Sequence, residues 1–199
     1  MSDDGPREGR TILTRNAART RQALLSAAAS AIVAHGSGVS LDVVAREAGV
    51  SKGGLLHHFR TREALLLALV DEWLARFESS VQRYLDPADD RPGRLARAHV
   101  RATFDDQPGP EDEVWRQPAM VAALVSVPEV LQRARESGRR WHEQMSGDGL
   151  HADRVVLIRG CIDGVLMSEM FEGPTSEQRR RRTRDLLLGL SEGTGPLLP

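Results

Sequence analysis

The sequence predicts an all-α protein. Apolar residues recur at three- and four-residue spacing through most of the chain, and sustained β-branched alternation is absent. Glycine, proline and capping hydroxyls fall where these stretches start and stop. The 199 residues, 40% of them hydrophobic, suffice to bury a core and exclude a wholly disordered chain.

Residues 1–14 are expected to be a flexible arm. Residues 15–35 put Leu24, Ala27, Ala28, Ala31 and Ile32 on one helical face, and Gly36 and Gly38 stop that helix. Ser40 caps a second helix, 41–48, with Asp42 in its first turn and Gly49 at its end. Ser51 caps a third, 52–59. Thr61 caps a long fourth, 62–85, with Glu63 in its first turn. A Pro- and Asp-rich loop precedes a helix over 93–105, and 106–110 break it. A segment over 111–127 follows, bent or interrupted at Pro118. Pro128 suits the first turn of a helix to about 145. A strongly apolar helix over 152–172 and a last one over 176–190 complete the chain.

Bulk properties exclude several classes. No run approaches the roughly 18 apolar residues of a membrane span, and residues 1–10 lack a signal-peptide apolar region. The single cysteine, Cys161, excludes an intrachain disulfide and suits a reducing cytoplasm; it is expected to pack as a small hydrophobe. No Cys/His cluster is present, and His57 and His58, neighbours on a helix, point about 100° apart, so no metal is expected. Catalytic signatures are missing: there is no Glu-x-x-His pair, Walker motif, HExxH or CxxC. Neither an enzyme nor a cofactor is expected.

The net charge of −1 at first argues against a nucleic-acid partner. The sum hides an asymmetry. Residues 1–62 carry nine basic and five acidic groups, and residues 63–199 carry 18 basic and 23 acidic. A basic N-terminal unit of +4 thus precedes a body of −5. Lys52 is the one lysine among the 27 basic residues.

Residues 40–59 have the pattern of a helix-turn-helix. Ala45 lets two helices cross closely, and Gly49, four residues on, takes a turn position that disfavours a Cβ. Val44, Val50, Leu55 and Phe59 would share a core with Leu24, Ala28 and Ile32. Gly53 and Gly54 are poor helix formers, each costing roughly 1 kcal/mol relative to alanine. A helix that brings its backbone near DNA could use them.

Residues 20–69 resemble the DNA-binding domain of the tetracycline-repressor (TetR) family of bacterial regulators. The resemblance rests on Ala27-Ala28, His35-Gly36, Val44-Ala45, Ala48-Gly49-Val50-Ser51, Lys52-Gly53-Gly54-Leu55, His58-Phe59 and Arg62-Glu63-Ala64-Leu65, all in one register. It implies nine to ten helices, with a helix-turn-helix domain over 15–62 and a ligand-binding and dimerisation domain over 63–199. It also implies a homodimer in the bacterial cytoplasm, a pseudo-palindromic double-stranded DNA operator and repression relieved by a small molecule. A regulator without an effector, or an activator, stays open.

In this mapping Lys52, Gly53, Gly54, Leu56 and His57 face the major groove. Ser40, Ser51, Thr61 and Arg62 sit at helix starts near phosphates, and Arg15, Arg19 and Arg21 follow the DNA backbone or reach the minor groove. Three departures stand out. Leu56 replaces a common tyrosine and cannot donate a hydrogen bond. Ile32 replaces a common phenylalanine. Arg62 replaces a lysine and keeps its charge.

For the second domain, Phe104, Trp115, Met120, Leu124 and Trp141 are expected to line an effector pocket, with His99 or Arg101 supplying polar contacts. The scarcity of polar groups favours an apolar or aromatic effector. Trp73 and Phe77 on the fourth helix are expected at the junction of the domains. The helix over 152–172 is apolar on more than one side, so one face can meet a partner subunit. The expected dimer residues are Val155, Ile158, Ile162, Val165, Leu186, Leu187 and Leu190.

Overall fold

The structure, a computed structural model, describes residues 5–36, 38–105, 113–125 and 127–197. Among the described residues there are nine α-helices, one 3₁₀ turn and no strand. The helices are α1 (Gly5–His35), α2 (Leu41–Glu47), α3 (Lys52–His58), α4 (Arg62–Tyr84), α5 (Arg94–Phe104), α6 (Pro118–Val125), α7 (Pro128–Ser146), α8 (Ala152–Glu172) and α9 (Glu177–Glu192); the 3₁₀ turn, Glu113–Arg116, precedes α6.

Two expectations shift. Helix α1 begins at Gly5, where an arm to residue 14 was expected. Pro6 is tolerated in its first turn, where backbone N–H groups have no intrahelical partner. The expected break at 106–110 lies outside the described residues. The chain divides into two compact units at Leu69/Val70, within α4, rather than at residue 62. The first turns of α4 join the N-terminal unit because Leu65, Leu66 and Leu69 are buried there.

In the N-terminal unit, α1 packs on α2 and α2 on α3. Besides the α4 leucines, its core includes Leu24, Leu25, Ala28, Ala29, Ala31 and Ile32 from α1, Val44 and Ala45 from α2, Leu55 from α3, and Val39 and Phe59. Helices α2 and α3 have seven residues each, too short to be stable alone. Their order comes from this shared core and from their caps.

The second unit is built around α5. Residues 96–100, Ala102 and Phe104 are all buried, so the helix is covered on every side. One side, Ala96, Val100 and Phe104, packs with Met145, Leu150, Val155, Ile158, Ile162 and Leu187. Another, Ala98 and Ala102, packs with Val81 and the half-buried Phe77 and Trp141. The alanines permit close approach of the neighbouring helices.

The start of α5 is heavily fastened. Gly93 adopts φ +82°, and a Cβ there would lie 3.1 Å from the Ser191 carbonyl oxygen and 3.2 Å from Leu150 Cδ1. The Asp148 carboxylate accepts from the Leu95 N–H at 2.6 Å, capping α5 from a distant loop. Arg97, 3% exposed, uses its whole guanidinium. Its Nε donates to Asp89 at 2.9 Å, Nη1 to the carbonyls of Pro92 (2.9 Å) and Ser191 (3.1 Å), and Nη2 to that of Arg91 (3.2 Å), with Asp89 Oδ2 also 2.7 Å from Nη2. Arg91 first, then Arg97, holds the Asp89 carboxyl well below the usual carboxylate range. Arg97→Ala removes these donors and leaves buried carbonyls unpaired, so we expect a loss of about 1–3 kcal/mol, read as a lower urea midpoint. An unchanged midpoint would show that the guanidinium does not fasten α5.

Candidate nucleic-acid interface and buried donor pair

The helix-turn-helix is set by local hydrogen bonds. Ser40 Oγ accepts from the Val43 N–H (3.4 Å) at the start of α2. At its end, Gly49 has φ +68°, its N–H donates to Arg46 O (3.1 Å), and that of Val50 donates to Ala45 O (3.0 Å). Ser51 Oγ accepts from the Gly54 N–H (3.1 Å) and starts α3. Thr61 Oγ1 accepts from the Ala64 N–H (3.1 Å) and starts α4. Each capping hydroxyl accepts from backbone and keeps its own O–H as a donor. At Thr61 that donor serves Glu63: the Glu63 carboxyl is held below its ordinary value first by its backbone hydrogen bond and then by Thr61.

On α3 only Leu55 is fully buried. Lys52, Gly53 and His57 are exposed, and Leu56 and His58 are half-buried. The two glycines differ. A Cβ at Gly53 would meet only Ser51 Oγ, at 3.9 Å, whereas one at Gly54 would sit 3.3 Å from it and 3.8 Å from Val50 Cβ. Gly53 thus belongs to the open surface and Gly54 to the cap, a correction to treating both as surface. Lys52 is not a free cation: its Nζ lies 2.9 Å from Asp42 Oδ2, with both side chains more than half exposed. Such a pair is worth about 0–1 kcal/mol and yields readily to a phosphate.

Around α3, Ser40, Ser51, Thr61 and Arg19 are exposed and Arg62 is half-buried. The Arg21 guanidinium lies 5.3 Å from the centroid of the Phe59 ring, tying α1 to the end of α3. The side chain of Arg15 lies outside the described residues.

The expected effector residues separate. Phe104 belongs to the core shared with α8 and α9, and Arg180 lies 5.6 Å from its ring centroid. His99 and Trp141 come together at 5.0 Å between centroids, and Phe77 packs on them at 4.8 and 6.1 Å. Phe77 therefore contributes to an aromatic cluster inside the second unit. Trp115, Met120 and Leu124 are buried, and Arg76 lies 4.8 Å from the Trp115 centroid. Arg101 is half-buried.

Among the described residues, two buried side-chain nitrogens have no hydrogen-bond partner: His99 Nδ1 and Trp115 Nε1. Arg159 Nη1 lies 3.2 Å from His99 Nε2. A guanidinium only donates, so Nε2 is the acceptor and Nδ1 carries the proton. Burial, then the Arg159 charge, lowers the His99 pKa to about 3. Sequence reasoning missed Arg159 and expected Phe77 at the domain junction; both meet His99 only through tertiary contacts.

The expected dimer face is largely inverted. Val155, Ile158, Ile162 and Leu187 are buried in this chain's own core, and Val165 and Leu190 pack against it. Only Leu186 of that set is exposed, at 56%. The exposed apolar residues of α8 are Val156, Leu157, Met167 and Phe171, the last 79% exposed. Gly160, Cys161 and Gly164 lie exposed between them, so Cys161 is not packed in the core. A helix apolar on both sides carries no local signal of which side turns inward. Among the described residues there is no metal-binding cluster and no helix long and apolar enough to cross a membrane.

Residues 24–69 match the family model of bacterial regulatory proteins of the tetR family, and residues 93–192 match that of the tetracyclin repressor-like C-terminal domain. The HTH-type transcriptional regulator BetI of Pseudomonas aeruginosa is 34% identical over 76% of this chain and 84% of its own length. BetI of Stenotrophomonas maltophilia is 32% identical over 70% and 75%. The crystal structure of the multidrug binding protein EbrR complexed with malachite green aligns with a TM-score of 0.64, covering 86% of this chain and 97% of that one at 22% identity. That likeness concerns the fold.

The unfolded chain binds a proton at histidine near its ordinary pKa of about 6.5, while folded His99 stays neutral down to about 3. This site therefore removes stability as pH falls below the ordinary value. His99→Phe is expected to flatten the fall of Tm between about pH 6 and 4. An equally steep fall in the variant would mean that other groups carry it.

Proposed function

The chain belongs to the tetracycline-repressor family of bacterial regulatory proteins, and from that membership we propose a homodimeric repressor that binds a pseudo-palindromic operator and releases it on binding a small effector. As a member of that family it is a DNA-binding transcriptional regulator rather than an enzyme. The finer reading rests first on α3. Its exposed Lys52, Gly53 and His57 stand free of the core, in a unit whose charge is positive while the remainder is negative. Lys52 exchanges Asp42 for a phosphate or a base edge, and the Ser40 and Ser51 hydroxyls donate to phosphates while still capping. The close backbone at Gly53 lets α3 approach the groove floor.

The homodimer is supported by the exposed apolar stripe of α8 and by Leu186 on α9. Leu157, Gly160, Cys161, Gly164, Met167 and Phe171 recur at three- and four-residue spacing, and the small residues admit a facing helix closely. A two-fold pair presents two copies of α3 to half-sites roughly one helical turn apart. The effector acts only through different affinities for the DNA-binding and non-binding conformations. The unpaired His99 and Trp115 donors support an effector site in the second unit.

Operator affinity should fall linearly on a log–log plot against salt. Lys52→Ala should weaken binding and reduce the slope by about 1. The site comes from selection on random double-stranded DNA, and a salt-independent affinity would overturn the reading. Light scattering should give about twice the 21.9 kDa chain mass. Leu157→Arg with Phe171→Asp should return the monomer mass with helicity intact; a dimer unchanged by the pair would move the interface elsewhere.

A further inference from the structure

We propose that Asp42 is a specificity-determining residue: together with Lys52 it reads one G·C base pair in the major groove, Lys52 donating to guanine and Asp42 accepting from the cytosine amine. It rests on the reading of α3 as the DNA-facing helix, and adds to it a residue of α2 and the base pair that the two helices read together.

The helix-turn-helix sets the two side chains side by side. Asp42 lies in the first turn of α2, and Lys52 is the first residue of α3. Ten positions apart in the chain, they meet at 2.9 Å, Nζ donating to Oδ2. Both stay open to solvent, with 57% of the Lys52 side chain and 63% of the Asp42 side chain exposed. Next to Lys52, Gly53 presents no side chain, and a Cβ there would meet only Ser51 Oγ, at 3.9 Å. The surface that offers DNA a charged donor therefore offers a charged acceptor beside it.

An acid at this place decides which DNA the lysine can take. DNA competes with Asp42 for the Lys52 ammonium. When Lys52 turns to a phosphate, the Asp42 carboxylate is left without its cation beside a polyanion, so the exchange gains little. At a base edge the balance improves where the DNA returns a donor to the carboxylate. Cytosine N4 is such a donor, because one of its N–H groups points into the major groove. In a G·C pair that nitrogen stands about 2.9 Å from guanine O6, the spacing at which Lys52 Nζ and Asp42 Oδ2 stand. Lys52 then donates to guanine O6 and N7, and Asp42 accepts from cytosine N4. At an A·T pair the adenine amine separates the two acceptors, N7 and thymine O4, so the ammonium reaches one of them only. The ion pair thus suppresses binding to arbitrary sequence and releases Lys52 at G·C.

The test uses the full-length protein and the duplex it selects from random double-stranded DNA. Two base analogues are scanned through the G·C positions of each half-site. In one, 7-deazaguanine removes the N7 acceptor; in the other, 2-pyrimidinone removes the cytosine amine while still pairing with guanine. The same analogues placed outside the half-sites serve as the reference. At one position per half-site each analogue should weaken wild-type binding about tenfold. Asp42→Ala should lose the sensitivity to 2-pyrimidinone, and Lys52→Ala the sensitivity to 7-deazaguanine. Asp42→Ala should also bind unrelated duplexes more tightly, so that its ratio of operator to non-operator affinity falls about tenfold. Tm shows whether Asp42→Ala folds, and the analogue scan on the wild-type chain decides without it. Wild-type binding indifferent to the cytosine amine at every position, Asp42→Ala as sensitive to it as the wild type, or an unchanged affinity ratio would overturn the proposal. Weakened binding by Lys52→Ala with 2-pyrimidinone harmless throughout would remove Asp42 and leave the reading of α3 standing. Operator affinity unchanged in Lys52→Ala would sink the reading of α3, and the role of Asp42 with it.

Discussion

The second unit depends on how α5 is fastened. A helix buried on every side has no solvent face to orient it, so its position must come from its ends. Here the start is held by Gly93 against the Ser191 carbonyl, by the Asp148 carboxylate and by the spread of Arg97 over Asp89 and three carbonyls. A buried guanidinium is tolerable only when its donors are used, and Arg97 meets that condition. The Ser191 contact brings the end of α9 into the same knot, and Arg180 and Arg184 tie α9 to the other end of α5 through the Thr103 carbonyl and Asp105. With both ends held, α5 turns Phe104 toward α8 and α9 and His99 toward Phe77 and Trp141.

The N-terminal unit works on a different principle. Its two seven-residue helices contribute little by themselves, and side-chain caps and a glycine turn define their ends. The core takes Val44, Ala45 and Leu55 inward and leaves most of α3 outside. A surface relieved of packing duties can carry residues chosen for a partner. Three of the five arginines of α9, by contrast, are held by carboxylates: Arg180 by Glu169, Arg181 by Glu177, Arg184 by Asp105 and Asp185. Charge of the same sign thus serves packing in the body, while in the first unit Lys52 holds only one exposed carboxylate.

Much of this was legible from residue order. The caps at Ser40, Ser51 and Thr61, the turn at Gly49, the interruption at Pro118 and the helix start at Pro128 are local events, decided by groups within four residues of one another. The start of α1 was misread because a polar, arginine-rich stretch lacks an amphipathic pattern while still permitting helix. Of the residues expected to line an effector pocket, His99 and Trp141 meet in the structure, whereas Phe104, grouped with them on residue type, packs in the core shared with α8 and α9. Phe104 sits five positions after His99, so the two point to different sides of α5.

The sequence by itself determined an all-α chain, most helix boundaries to within a few residues (the start of α1 and the segment over 111–127 excepted), the helix-turn-helix and the opposite charges of the two parts. All of these follow from spacing, capping and composition, which act between near neighbours. Only the tertiary structure decided which side of α8 faces its own core, that Gly54 serves a cap while Gly53 stays open, and that His99 and Trp115 are buried with a donor unused. The reason is that the inward face of an apolar helix, and the partner of a buried polar atom, are set by elements distant in the chain. His99 and Arg159 lie on different helices, and their 3.2 Å contact appears only once α5 and α8 have packed.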